Sequence, residues 1–332
     1  MGCAGRRGGE RGEAVSDRTS LAVGGREPRV LVVGTMAVDA KGQPNGVLVP
    51  GTSVPGIVRL GIGGVGRNIA ENLARMGVQT RLVSATGSDQ FGRILLQKTA
   101  DSGVDVSHVV ISDAHRTAAY IAVLDGSSSL AHAIDDMAII GLVTPALVEG
   151  KRSLFEEASI VVVDANLPAE TLGSVFRLAR ECDRPVCVDP TSAILAPRVQ
   201  PYLSETFLIV PNLREAEVLA GVRPGEETDV HQLAYRLVNM GAEIAVVTLA
   251  EKGLYYATSD ESGRVPALRR DVVDLTGAGA ALAAAVIFGL LNGFPISEAV
   301  RLGISAAALT IQCAEAVCPD LSLDRLYDEL VV

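Results

Sequence analysis

The residues best placed for chemistry are Asp274-Leu275-Thr276-Gly277-Ala278-Gly279-Ala280, a glycine-rich turn feeding an apolar, alanine-rich segment. At the start of a helix such a turn leaves backbone N–H groups without intrahelical acceptors, at the positive end of the helix dipole, which suits an anion. An acid one residue after the last glycine would take a proton from an attacking hydroxyl, yet position 280 is alanine. A second cluster, Gly61-Ile62-Gly63-Gly64-Val65-Gly66, matches the GxGxxG dinucleotide pattern, with Asp89 downstream as a candidate ribose-binding acid. It comes well after the first core strand, however, and the first strand-to-helix turn carries Gly34-Thr35-Met36-Ala37-Val38-Asp39 instead. A nicotinamide-dependent oxidoreductase is therefore the poorer reading.

These residues need elements to carry them. Arg29-Val30-Leu31-Val32-Val33 reads as a buried parallel strand, and strand and helix patterns alternate from there. Helices are expected over Asn68–Met76 and Gln90–Asp101. Strands are expected over Val78–Ala85, Ile160–Val163, Val186–Val188, Phe207–Val210 and Ile244–Val247. Such alternation predicts an α/β fold with a mainly parallel sheet covered on both faces and ligands at the carboxyl ends of its strands. Residues 40–60 and 117–134 break the rhythm and read as antiparallel strands outside the main sheet, a small β lid. Residues 1–28, rich in Gly and Arg with interspersed Glu, read as a disordered tail without a secretory signal, and the domain as 29–332.

The chain of 332 residues carries a net charge of −10 and no tryptophan, which argues against nucleic acid and anionic membrane surfaces and for a small-molecule substrate. Five cysteines (Cys3, Cys182, Cys187, Cys313, Cys318) make no CxxC pair and read as reduced thiols of a cytoplasmic protein. The Arg-bearing tail leaves organelle import open. The four histidines are scattered without ligand spacing.

In combination, the motifs resemble the ribokinase-like (PfkB) family of sugar and nucleoside kinases from Arg29 onward. They are Asp39 beyond strand one, the Gly63-Gly64 pair with Asn68, Asn212-Leu213-Arg214-Glu215, and Thr276-Gly277-Ala278-Gly279. Within that family the pseudouridine kinases are most similar. That likeness rests on Gly63-Gly64-Val65-Gly66-Arg67-Asn68-Ile69-Ala70-Glu71-Asn72-Leu73, Asp135-Asp136-Met137, Val163-Asp164-Ala165-Asn166, Val188-Asp189-Pro190-Thr191-Ser192-Ala193 and Pro319-Asp320-Leu321-Ser322.

The resemblance implies a three-layer α/β/α sandwich with a β lid, and ATP-dependent phosphorylation of a nucleoside 5′-hydroxyl. Asp39 and Asn68 would bind sugar hydroxyls while Gly63 and Gly64 let the backbone approach the ribose. Thr117, Tyr120, Asp136 and Asn166 would lie near the base. Asn212, Thr248, Gly253, Thr276, Gly277 and Gly279 would face ATP, with Ala250 where glycine is usual. Glu215 would hold Mg²⁺ through water, Asp274 would belong to a monovalent-cation (K⁺) site, and lid strands would pair in a homodimer. Gly277, Ala278 and Gly279 would form the anion hole.

Ala280 departs from the family, which carries aspartate there as catalytic base. General-base assistance is worth roughly 10²–10⁴ in rate, so this chain is expected to bind its ligands and turn over poorly. Intact surroundings fit either a single substitution introduced to trap a complex or a natural protein kept for binding; the latter is a non-catalytic nucleoside sensor.

Overall fold

The β-branched run that opens the fold is strand β1 (Arg29–Val33), buried on both faces. The computed structural model describes residues 27–126, 130–223 and 229–330. The expected tail thus lies outside the described residues but for Glu27 and Pro28. From β1 the chain enters a hairpin, β2 (Ala37–Pro44) and β3 (Gly56–Gly63), returns through helix α1 (Val65–Arg75), and forms β4 (Gln79–Val83) beside β1. A short parallel pair, β5 (Ala85–Gly87) and β6 (Val110–Ser112), brackets α2 (Gln90–Asp101), after which β7 (Ala119–Leu124) and β8 (Leu130–Asp136) complete the lid.

The remainder alternates. Helices α3 (Pro145–Glu149) and α4 (Arg152–Glu157) lead to β9 (Ile160–Asp164), and α5 (Ala169–Glu181) leads to β10 (Val186–Asp189). Next come β11 (Leu208–Ile209), α6 (Leu213–Leu219), α7 (Val230–Asn239) and β12 (Ile244–Thr248). An edge hairpin, β13 (Leu254–Ala257) and β14 (Ser262–Val265), precedes α8 (Ala278–Leu291), α9 (Ile296–Thr310) and α10 (Leu323–Leu330).

The eight-stranded sheet runs β14-β13-β12-β11-β10-β9-β1-β4 and is parallel except at its β13-β14 edge. Strand alternation sends Val30, Val32, Ile160 and Val162 into one core with α1, α8 and α9, and Leu31, Val33, Val161 and Val163 into the other with α5 and α7. This is the expected three-layer sandwich. Helix α8 can be rich in alanine because it is buried on nearly every side, wedged between α1 and α9.

The lid is one four-stranded sheet in the order β3-β2-β7-β8. Its two segments were expected to be antiparallel, but β2 and β7 pair in parallel, joining halves separated by a helix, a core strand and the β5–β6 unit. Local turn signals report hairpins, not the joint between them. Alternation gives the lid two faces: Leu60, Ala40, Ile121 and Ile134 align across the outer one, and Gly61, Asp39, Tyr120 and Asp135 across the inner. Among the described residues no helix is long and apolar enough to cross a membrane. The thiol expectation is corrected at Cys313 and Cys318, which form a disulfide where the chain turns after α9; Cys182 and Cys187 are free. Their five-residue spacing escapes a search for CxxC, and the turn brings the two Cα atoms to 5.5 Å.

Candidate active site

The site lies where the carboxyl ends of β1, β9 and β10 meet the amino ends of α1 and α8. Asp164, fully buried at the end of β9, ties β9 to the segment after β1 and to the start of α1. Its carboxylate accepts from Thr35 N (2.7 Å), Thr35 Oγ1 (2.8 Å) and Gly66 N (2.9 Å), and from Asn166 N at 3.1 Å. Asn166 Nδ2 in turn donates to Thr35 Oγ1 at 3.2 Å. Burial raises the Asp164 pKa against the pull of these donors.

Helix α1 begins three residues earlier than its apolar pattern suggested, with Gly64 as N-cap at φ 94°. A side chain there would meet Met36 Cα at 2.5 Å, so only glycine fits. Gly61 and Gly63 are therefore residues of lid strand β3 rather than a dinucleotide turn. Asp89 is the N-cap of α2, accepting from Gly92 N (2.9 Å), and it also accepts from Thr117 N (2.9 Å) and Thr117 Oγ1 (2.7 Å). The nicotinamide reading has no support in this geometry.

Asp39 is buried on the inner face of the lid, packed so tightly on Gly63 that a Cβ there would lie 2.2 Å from its Oδ2. Burial pushes its pKa up to about 6, with Asp274 adding to the rise and Lys41 and Arg67 opposing it. Asn68 lies in the first turn of α1, not at its cap, and its Oδ1 accepts from Arg67 Nη1 at 2.8 Å.

Arg67, which sequence reasoning passed over, is only 2% exposed. It pairs with Glu71 and donates to Ile62 O at 3.1 Å, and burial brings its pKa down to about 10. Glu71 also pairs with Arg75 (2.8 Å), whose Nη1 donates to Pro319 O, so the Pro319 segment supports the wall from behind. An Arg spaced i, i+4 from a Glu on a helix reads as a surface pair; its burial is a property of the tertiary fold.

Tyr120 shares the inner face with Asp39, and burial, Asp39 and Asp135 all raise its pKa. Asp136 falls in the other row, opposite Ala119, while Asp135 lies opposite Tyr120. A shift of one residue reverses the face of a strand.

On the donor side, Gly277 caps α8 in a left-handed conformation (φ 82°), and a Cβ there would overlap Ala316 O. Gly279 differs: a Cβ would meet nothing within 4 Å. Ala281 N bonds to Gly277 O, but among the described residues the amides of Gly279 and Ala280 find no backbone acceptor. The Ala280 methyl is buried in the first turn. A cavity of about 560 Å³ brings together Asn212, Thr248, Gly253, Ala278 and Gly279 over an apolar wall of Leu282, Ala308 and Ile311. A neighbouring groove adds Thr191, Glu215, Lys252 and Arg264.

Asn212 and Glu215 form a capping box on α6: Asn212 Oδ1 accepts from Glu215 N (3.0 Å), while Asn212 N (2.9 Å) and Nδ2 (2.6 Å) donate to the Glu215 carboxylate. Glu215 is buried, which raises its pKa against those bonds. Burial also pushes Asp189 up to about 8, with Glu215 and then Asp164 as repelling neighbours. A buried acid raised by a neighbouring carboxylate fits a divalent cation, held partly through water. Asp274 does not fit a bare metal ligand. Its Oδ2 accepts from Lys41 Nζ at 2.6 Å and its Oδ1 from Thr276 N at 2.8 Å. These bonds outweigh the effect of its burial and hold its pKa below the usual range.

Buried polar side chains on the small sheet, helix-start amides without backbone acceptors and a cavity of this size together suit a phosphotransferase. The pfkB family carbohydrate kinase model matches residues 27–321, and the chain belongs to that family of sugar and nucleoside kinases. It is 33% identical over 295 residues to the pseudouridine kinase of Escherichia coli, covering 89% of this chain and 94% of that one. It is 28% identical over 301 residues to the guanosine-inosine kinase of Exiguobacterium acetylicum, covering 90% and 99%. The Arabidopsis thaliana ribokinase solved with ribose and ATP superposes with a TM-score of 0.79 at 20% identity, covering 92% of this chain and all (100%) of that one, a likeness of fold.

Proposed function

We propose that this chain binds ATP with Mg²⁺ and a nucleoside, with the ribose 5′-hydroxyl of pseudouridine as acceptor, and that Ala280 makes it a slow phosphotransferase. The observation that carries the reading is the pairing of the buried Asp39–Gly63–Asn68 wall with the unpartnered amides of Gly279 and Ala280. Asp39 accepts from ribose hydroxyls, and Asn68, its Oδ1 engaged by Arg67, presents its amide N–H groups. The hydroxyl oxygen attacks the γ-phosphorus, the bond to the β-phosphate oxygen breaks, and the two amides meet the charge on the transferring group. The acceptor proton has no carboxylate at position 280 to receive it and passes to water. Asp189 and Glu215 would hold Mg²⁺, which neutralises phosphate charge when bound. The apolar outer lid row, with Leu60 at 66%, Ile121 at 49% and Ile134 at 71% exposed, supports pairing of lids in a homodimer.

A second reading, a nucleoside sensor without turnover, is favoured by the same alanine amid otherwise complete walls. The test is a binding and phosphorylation panel of pseudouridine, uridine, inosine, guanosine and ribose on the chain with Ala280 and on Ala280→Asp. Preference of the restored variant for pseudouridine supports the kinase reading. Preference for another acceptor overturns the substrate, and equal turnover with and without the acid overturns the missing-base account.

A further inference from the structure

We infer that Lys41 is the resident cation of the phosphate turn, a positioning residue that fills on Asp274 the place of a monovalent metal ion. The kinase reading supplies what the turn holds; the role of Lys41 rests on geometry. Its ammonium reaches from lid strand β2 to a carboxylate 233 residues away, at 2.6 Å. Both side chains are sheltered, at 15% and 14% exposure, so the pair is less screened than one at the surface.

The other Asp274 oxygen accepts from Thr276 N, the residue before the Gly277 cap. One carboxylate thus links the lid to the anion hole. Strand alternation puts Lys41 on the same face of β2 as Asp39, and the same ammonium is the foremost charge opposing the rise in the Asp39 pKa. A single positive charge therefore serves an acid on the acceptor wall and an acid on the donor turn. With that charge carried by the chain, a soluble monovalent cation has nothing to add at Asp274.

The experiment compares native chain, Lys41→Gln, Lys41→Arg and Asp274→Asn in KCl, NaCl and tetramethylammonium chloride at equal ionic strength. ATP–Mg²⁺ affinity is read by calorimetry and thermal unfolding without nucleotide. The native chain and Lys41→Arg should bind ATP within about twofold in all three salts. Lys41→Gln should lose about tenfold in tetramethylammonium and recover in K⁺, with a K⁺-dependent rise in Tm, whereas Asp274→Asn should show no recovery. A native chain that needs K⁺, or a Lys41→Gln protein indifferent to salt by both readouts, would overturn the inference. Absence of ATP binding in every salt would count against the kinase reading, and the unfolding series would still decide the role of Lys41.

Discussion

Helices α1 and α8 pack against each other, and each begins behind a positive-φ glycine (Gly64, Gly277) and without a side-chain cap. They differ in what fills the first turn. At α1 the protein satisfies itself: Gly66 N donates to Asp164, and Arg67 donates to Asn68 and pairs with Glu71. At α8 the amides of Gly279 and Ala280 have no backbone acceptor among the described residues, and a Cβ on Gly279 would meet nothing within 4 Å. A helix start becomes an anion site when the fold leaves it unfilled, not because glycine is present.

The widest test of that contrast gives α8 the polar group it lacks. Ala280→Asp should raise ATP-dependent transfer roughly 10²–10⁴-fold in initial-rate assays, with ligand affinities little changed. Emptying the filled turn comes next. Arg67→Met should cost roughly 3 kcal/mol in denaturant unfolding because Glu71 loses a buried partner, and Arg67→Lys should recover only part, lacking the guanidinium fork. The two glycines of α8 should separate. Gly277→Ala, forced onto Ala316 O at positive φ, should cost about 2 kcal/mol, whereas Gly279→Ala should leave Tm nearly unchanged and weaken ATP binding in calorimetry.

The smallest effect concerns Asp39, which must be ionised to accept two hydroxyl bonds. With its pKa at about 6, nucleoside affinity should fall about tenfold between pH 7 and pH 5. The unfolded carboxyl titrates near 3.8, so the folded state holds this proton to higher pH. Its contribution to apo stability is present below 3.8 and lost as pH rises through about 6. A flat affinity profile over that range would remove Asp39 from the hydroxyl contact.

Much of this was legible in sequence because it is local. Core strands announce themselves by β-branched runs, and Gly277-Ala278-Gly279 by its place before an apolar helix. What escaped depends on contacts between distant segments. The parallel β2–β7 joint, the burial of Arg67 and the Lys41–Asp274 bond each unite positions no periodicity connects. Which of Asp135 and Asp136 shares a row with Tyr120 was a matter of strand register. The capping box on α6 was readable as Asn-x-x-Glu, but the motif alone did not reveal that Glu215 is buried with its oxygens engaged by Asn212.

The parallel joint of the lid also sets an order of assembly. During synthesis β2 and β3 emerge first and wait for β7 before the sheet can close, and non-local pairings of this kind form slowly. By Asn166 the proposed acceptor wall has all its residues, whereas the proposed donor turn arrives only with Thr276 to Ala280. A chain cut short between those points would carry the proposed acceptor wall with no glycine turn of α8 to face it.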